Sequence, residues 1–205
     1  MKENKERLQD ILDRLDKISY IRLEKIPDID LYMDQVTSFM EEHLRKAKRN
    51  PQDKALTKTM INNYAKNKLL PPPVKKKYSR EHLLLLLFIY YYKNLLSIND
   101  IEQLLKPITA KHFQTRDKLS LGAIYQEVFS LEDSQMERLK EDIQRKFEAS
   151  RTVFQNADEE EREYLQLFAF ISELSFDVYL KKQMIEMVID QLREEETPQN
   201  LPKKK

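Results

Sequence analysis

An all-α fold is what this sequence predicts, on three observations. Only one glycine stands among 205 residues, and tight β-hairpins draw on glycine for positive φ. Charged residues make up 35% of the chain, and they alternate with apolar ones at helical rather than strand spacing. Candidate caps recur: Thr57, Ser79, Ser97, Ser120 and Ser130 each precede an apolar-periodic run, where a hydroxyl accepts an otherwise unpaired amide proton of the first helical turn.

Leu8, Ile11, Leu12, Leu15 and Ile18 repeat at helical spacing, which predicts an amphipathic helix over about Lys5 to Lys17. Pro27 breaks the chain, and Asp28 is the expected cap of a second helix with Leu31, Val36, Phe39, Met40 and Leu44 inward. Its end is basic (Arg45, Lys46, Lys48, Arg49), as suits a helix C-terminus, and residues 50–56 make a connecting segment. Thr57 then caps a short helix, with Leu56 and Ile61 in the positions of a hydrophobic staple. Met60, Ile61 and Tyr64 fall on one face of it, and Thr59, Asn62, Asn63 and Lys66 on the other. Pro71, Pro72 and Pro73 end that helix and impose an extended path to Lys75, Lys76, Lys77, Tyr78 and the second cap, Ser79. From Leu83 to Tyr92 all ten residues are apolar or aromatic. A membrane span needs about 20, so this run is expected to be a central helix buried on most sides.

Ser97 and Asp100 form a capping box with Leu96 and Ile101 as staple partners, and the helix after them is expected to stop at Pro107. Residues 108–118 read as a loop or an irregular short helix. Ser120 caps the next apolar set, Leu121, Ile124, Tyr125, Val128 and Phe129. Ser130 with Asp133 forms another capping box, where the chain either breaks or runs on through Met136, Leu139, Ile143 and Phe147. From Asp158 to about Glu195 a long helix is predicted, with Tyr164, Phe168, Ile171, Ser175, Val178, Lys182, Ile185, Ile189 and Leu192 as a seam at spacings of four and three. Leu167, Leu174 and Val188 widen the stripe to the breadth of a helix-bundle core. The expected organisation is an amphipathic helix over 1–25, a domain over 26–110, a helical dimerisation or effector module over 111–196, and a disordered tail over 197–205.

The formal net charge of +1 hides an asymmetry. Between Arg45 and Lys93, 13 lysines and arginines face only Asp53 and Glu81, a net of +11, while the remainder carries 23 basic and 33 acidic residues, a net of −10. A basic segment in an otherwise acidic chain points to a polyanion-facing surface. The absence of cysteine excludes a disulfide framework and thiolate metal sites. His43, His82 and His112 show no metal-ligand spacing, and His82 is expected to be a partly exposed surface residue. No glycine-rich phosphate loop is possible, and Asp158 to Glu161 reads as a favourable first helical turn. No enzyme activity, metal or cofactor is expected. The charged opening, Met1 to Asp10, lacks the apolar core of a signal peptide, and no stretch is long enough to span a membrane, so a cytoplasmic protein is expected.

Leu56-Thr57, Ile61, Tyr64, Lys66, Leu69-Leu70 and Pro72, followed by a basic segment and Tyr78-Ser79 with Leu83, resemble the winged helix-turn-helix of MerR-type regulators. The later Leu96-Ser97-Ile98, Ile101 and Leu104-Leu105 fit the helix that follows in that family. The pattern from about Ile26 to Tyr125 is closer still to an uncharacterised bacterial family, domain of unknown function eighteen thirty-six. Asn62 and Asn63 stand where MerR proteins usually carry Arg and an aromatic residue, Lys68 where they carry Gly, and only seven residues separate Leu70 from Tyr78, so any wing is short. The resemblance implies a sequence-specific regulator binding double-stranded DNA as a homodimer through C-terminal helices. Thr59, Asn62 and Asn63 would face bases; Lys58, Lys66, Lys68, Lys75, Lys76, Lys77 and Arg80 would face phosphates. A small-molecule effector, common in that class, is not specified by the residues. The alternative reading, favoured by the missing wing glycines and the replaced Arg, is a winged fold that binds protein and not DNA.

Overall fold

The computed structural model describes residues 4–115, 117–131 and 133–196. Along them run α1 (Asn4–Leu15), β1 (Leu31–Tyr32), α2 (Met33–Leu44), α3 (Lys58–Lys66), β2 (Lys77–Tyr78), α4 (Arg80–Tyr92), α5 (Ile98–His112), α6 (Leu121–Ser130), α7 (Asp133–Ser150) and α8 (Glu159–Glu196), with single 3-10 turns at Leu23–Lys25 and Arg45–Ala47. The fold is therefore mostly helical. The expected disordered tail, 197–205, lies outside the described residues.

The apolar run becomes the hub. Every residue of α4 from His82 to Tyr90 is buried, and the core around it takes Val36 and Met40 from α2, Ile61 and Tyr64 from α3, Ile101 and Leu105 from α5, Leu121 and Tyr125 from α6, and Ile189 from α8. A ten-residue stretch with no polar stripe has only one stable place, the middle, with other helices on all sides. His82 shares that burial, at 1% exposed, against the expectation of a surface residue. Its ring is edge-on to Tyr78 and Phe113, at 5.4 and 4.9 Å between centroids. Ser79 N–H donates to its Nδ1 at 3.0 Å, so the ring proton sits on Nε2, which faces the carbonyls of Pro71 and Pro72. Burial holds its pKa below the ordinary histidine value.

Local capping chemistry sets most helix starts. Thr57 Oγ1 accepts from Met60 N–H at 3.2 Å. Ser97 and Asp100 make the full reciprocal box: Asp100 N–H to Ser97 Oγ at 3.2 Å and Ser97 N–H to Asp100 Oδ2 at 3.1 Å. Ser120 Oγ accepts from Ala123 N–H at 3.2 Å. The staples hold too, since Leu56 with Ile61, and Leu96 with Ile101, are buried together.

Four expectations are corrected. Asp28 does not cap α2: Leu31 and Tyr32 are drawn into a strand against Tyr78 and Lys77, so the helix starts at Met33, where Gln35 Oε1 accepts from Tyr32 N–H at 2.8 Å. Pro107 does not stop α5, which continues to His112. A proline inside a helix removes one amide donor, but Leu104 and Leu105 before it and Ile108 after it pack on the core, and that burial carries the helix through. Ser130 does not cap α7; it is the last residue of α6, and its hydroxyl donates to Glu127 O at 2.7 Å. The chain breaks between α6 and α7 and does not run on. Finally, the seam of α8, broad enough for a helix-bundle core, is only partly covered within the chain. Phe170 and Ile189 are buried, but Tyr164, Phe168, Ile171 and Val178 stand more than half exposed.

A second, smaller apolar cluster joins α1, α7 and α8: Leu12, Ile143, Phe147 and Phe170, flanked by Leu8, Leu15, Leu167 and Leu174. Ion pairs support it, Lys140 with Asp16 and Lys146 with Asp142 and Asp177. Tyr125 Oη donates to Ile21 O at 2.7 Å in the core, which fixes the chain between α1 and β1. No helix of the described residues is long and apolar enough to cross a membrane.

Candidate nucleic-acid interface

α3 buries Ile61 and Tyr64 and turns Lys58, Thr59, Asn62, Asn63 and Lys66 to solvent. Met60, expected inward, is on the exposed side as well. The predicted polar face therefore exists as one surface. Among the described residues, the side-chain amides of Asn62 and Asn63 have no hydrogen-bond partner. The helix closes with a left-handed stop: Lys68, at φ 62°, follows the cap residue Asn67, Leu69 N–H donates to Tyr64 O at 2.9 Å, and Lys68 N–H donates to Ala65 O at 3.2 Å. That is the Schellman pattern, which usually places glycine at the left-handed position. Lys68 thus takes the left-handed place that glycine ordinarily fills.

The basic loop beyond Pro73 is a hairpin. Val74 N–H donates to Lys77 O at 3.1 Å and Lys77 N–H to Val74 O at 2.9 Å, with Lys75 at φ 50° and Lys76 at φ 65°. Both central residues of this two-residue turn are left-handed, the geometry that matches strand twist and that Asn-Gly ordinarily fills. The scarcity of glycine argued against a tight hairpin; the chain forms one with lysines in glycine's place. The returning strand, β2, pairs antiparallel with β1, Leu31 opposite Tyr78 and Tyr32 opposite Lys77. Lys75 and Lys76 are exposed at the tip. Lys77 lies back over the Tyr32 ring, 5.3 Å from its centroid.

The long connection between α2 and α3 is ordered by one lysine. The Lys48 side chain is 4% exposed and pairs with Glu41, while its ammonium also donates to Pro51 O at 3.0 Å and Asp53 O at 2.7 Å. The second oxygen of Glu41 accepts from Ala55 N–H at 3.1 Å. The hydrogen bond from Lys48, then that from Ala55, hold the Glu41 carboxyl below its usual pKa. On the opposite side of Ala55, Lys93 donates to the carbonyl at 2.9 Å, and burial lowers its pKa. The loop thus acts as a braced spacer that sets α3 against α2.

Not every basic residue of the segment faces outward. Lys48 and Lys93 are spent on the loop. Arg80, read as a phosphate contact, donates to Leu23 O at 2.7 Å and lies 3.7 Å from Asp28, so its guanidinium braces the segment before β1. Lys58 pairs with Asp34 at the start of α2, on the exposed surface. Lys66, Lys68, Lys75 and Lys76 remain as exposed cations along α3 and the hairpin tip. Sequence reading missed Arg45 and Lys54, which with Thr57 and Lys58 line a groove of about 690 Å³ between α2 and the start of α3. The signal for Arg45 was the basic run read as a helix end, whereas Lys54 lies in the connecting segment, where only the net positive charge pointed to it. Among the described residues no group of three or more His, Asp or Glu is arranged to hold a metal ion.

Residues 21–128 match the profile of a domain of unknown function, DUF1836, a span that contains both strands and nearly all of α2 to α6. Neither the curated proteins nor the solved structures contain a match to the chain. The matched span covers more than half of the 205 residues and encloses the hub helix, α3 and the hairpin. The chain belongs to the DUF1836 family.

Proposed function

We propose that this protein is a sequence-specific DNA-binding regulator of the MerR-like winged helix-turn-helix kind. The observation that carries the reading is the backbone under the lysines. Lys68, Lys75 and Lys76 are three of the five non-glycine residues at positive φ among the described residues, and each such placement costs an L-residue roughly 1–2 kcal/mol. Strain held at three cations beside an exposed Thr-Asn-Asn face supports a polyanion-binding surface, since strained backbone clusters at ligand sites and cations neutralise phosphates. An α-helix, about 10–12 Å across with its side chains, enters a major groove about 12 Å wide, and asparagine bonds adenine bidentately.

Duplex DNA of random sequence, titrated at low and moderate salt, tests this directly. Wild type is expected to bind with a steep salt dependence. Lys75→Ala with Lys76→Ala should flatten the slope of log K on log salt, for all duplexes alike, by up to about 0.9 for each phosphate no longer neutralised. Asn62→Ala with Asn63→Ala should keep the slope and erase the preference for a selected site, at roughly 1–3 kcal/mol for each bidentate pair removed. Absence of any binding at low salt sinks the reading.

Assembly belongs to the same proposal. Twelve large apolar side chains of α8 are exposed, Tyr164 the most at 68%. They lie on more than one side of the helix, and so much open apolar surface on one element is more than a monomer usually leaves uncovered. The cover is a second copy, through α8. A dimer at micromolar concentration is expected by light scattering, and Phe168→Glu with Ile171→Glu should give a monomer with an unchanged melt. A monomeric wild type removes the dimer.

A further inference from the structure

The two apolar clusters do not merge. Between them is a cleft of about 870 Å³, walled on one side by Tyr90, Tyr91 and Phe129 and on the other by Leu15, Leu139 and Lys181. That is within the volume range of small-molecule sites. Tyr20 stands at its edge, its ring centroid 4.6 Å from that of Tyr91 and 4.2 Å from that of Phe129. Phe129 in turn packs on Phe88 and Tyr125 at 5.5 and 4.4 Å, so the aromatic wall is anchored in the hub. The two walls have different origins. Tyr90 and Tyr91 lie inside the family's span, which ends at residue 128, whereas Leu139 and Lys181 come from the segments beyond it.

The charges around the cleft are not balanced. Asp142 lines it, but Arg145 and Lys146 both pair with that carboxylate. Lys181 gives one hydrogen bond to Asp177, at 2.8 Å, and an ammonium has two further donors. Arg138 is exposed on the same lining. The polar side of the cleft therefore favours an anion and the aromatic side a flat apolar body. We propose that this cleft binds an aromatic small molecule carrying one anionic group, with its rings against Tyr20, Tyr91 and Phe129 and its anion toward Lys181 and Arg138. Such a ligand would bridge the two clusters and so fix α7 and α8 against the family domain.

The test uses the full chain without DNA, so its outcome is separate from that of the DNA-binding reading. The probe is 1-anilinonaphthalene-8-sulfonate, itself an aromatic anion. Saturable binding of one dye per chain is expected. Leu139→Trp, which fills the cleft, should weaken it at least tenfold, and Tyr20→Leu several-fold. Ile29→Ser, exposed before β1 and outside the lining of the cleft, should leave the affinity unchanged. The chain contains no tryptophan, so the introduced indole also reports through energy transfer whether any dye still sits beside it. Each variant is checked by thermal melting, and Val128→Trp on the other wall replaces Leu139→Trp if the latter does not fold. Non-saturable binding, or loss with Ile29→Ser and none with the tryptophan variant, overturns the proposal.

Discussion

α4 and α8 are both apolar helices, and they end in opposite environments. Nine of the 13 residues of α4 are buried. In the 38 residues of α8, Phe170 and Ile189 are buried while Phe176, Leu180, Met184 and Met187 lie open on one side and Tyr164, Phe168 and Ile171 on another. Hydrophobicity sets what burial is worth; it does not supply the neighbours. α4 is short enough for α5, α6 and β2 to enclose it. α8 is about 57 Å long, packs on α7 and reaches α5, and its middle outruns the apolar clusters at either end. Apolar content read without partner geometry overstates burial in a long helix and not in a central short one.

The largest expected effects test that contrast. Leu86→Ala should cost about 2–5 kcal/mol, because Leu86 is fully buried and its removal leaves a cavity. Leu180→Ala, at 50% exposure, should stay within about 0.5 kcal/mol under dilute, monomeric conditions. Urea melts of the two variants decide it; equal losses would mean that α8 is covered within its own chain. A step lower comes Lys48→Met. It strands the carbonyls of Pro51 and Asp53 and the Glu41 carboxylate, and should cost about 1–3 kcal/mol. Because the lysine braces α3 and not the exposed surface, the same variant should also weaken DNA binding; an unchanged melt would show that the spacer needs no brace.

α8 has a polar latch of its own, and its loss should be smaller and depend on pH. Arg193 pairs with Asp100 at the start of α5. The hydrogen bond from Ser97, then that from Arg193, hold the Asp100 carboxyl below its usual pKa. A depressed carboxyl pKa contributes stability that is fully present above the unfolded value, near 3.9, and is lost as pH falls through the lower folded value. Arg193→Ala should thus lower stability by no more than about 1 kcal/mol, since Arg193 is partly exposed. The difference from wild type should be flat from pH 7 to 5 and narrow below about pH 4. A difference that widens on acidification would contradict this origin of the latch.

Legibility in the sequence followed the range of the interactions. Thr57, Ser97 and Ser120 were readable as caps because their partners lie three residues away. The buried run in α4 was readable because no polar stripe interrupts it. β1 was not, since Leu31 finds Tyr78 only after α2, the braced loop and α3 have been built. Pro107 misled for the same reason: the apolar packing that carries α5 past it comes from the core, not from the local sequence. Of the candidate interface, the exposed face of α3 was visible in its spacing, whereas the inward turn of Lys48, Lys93 and Arg80 was not, because carbonyl groups that capture a lysine leave no mark on its neighbours. His82 was misjudged in the same way, its burial being set by Tyr78 and Phe113.

The smallest effects concern where glycine is and is not. The only glycine, Gly122, sits inside α6. A methyl group there would meet Leu23 Cδ1 at 3.7 Å, an ordinary approach, and its φ is not positive. Gly122→Ala should therefore stabilise the fold by about 0.5–1 kcal/mol, chiefly by restricting the unfolded chain. Lys68 is the reverse case, a side chain on a left-handed residue where glycine is favoured. Lys68→Gly should also stabilise, by up to about 1 kcal/mol, after the extra unfolded-state freedom of glycine is subtracted from the relieved strain. The two gains have opposite consequences for the proposed surface. Gly122→Ala should leave DNA affinity and its salt slope untouched, while Lys68→Gly should raise the melting temperature and weaken binding to every duplex. If Lys68→Gly stabilises without weakening binding, the strain at Lys68 serves only the helix stop, and the phosphate-facing set contracts to Lys66 and the hairpin tip.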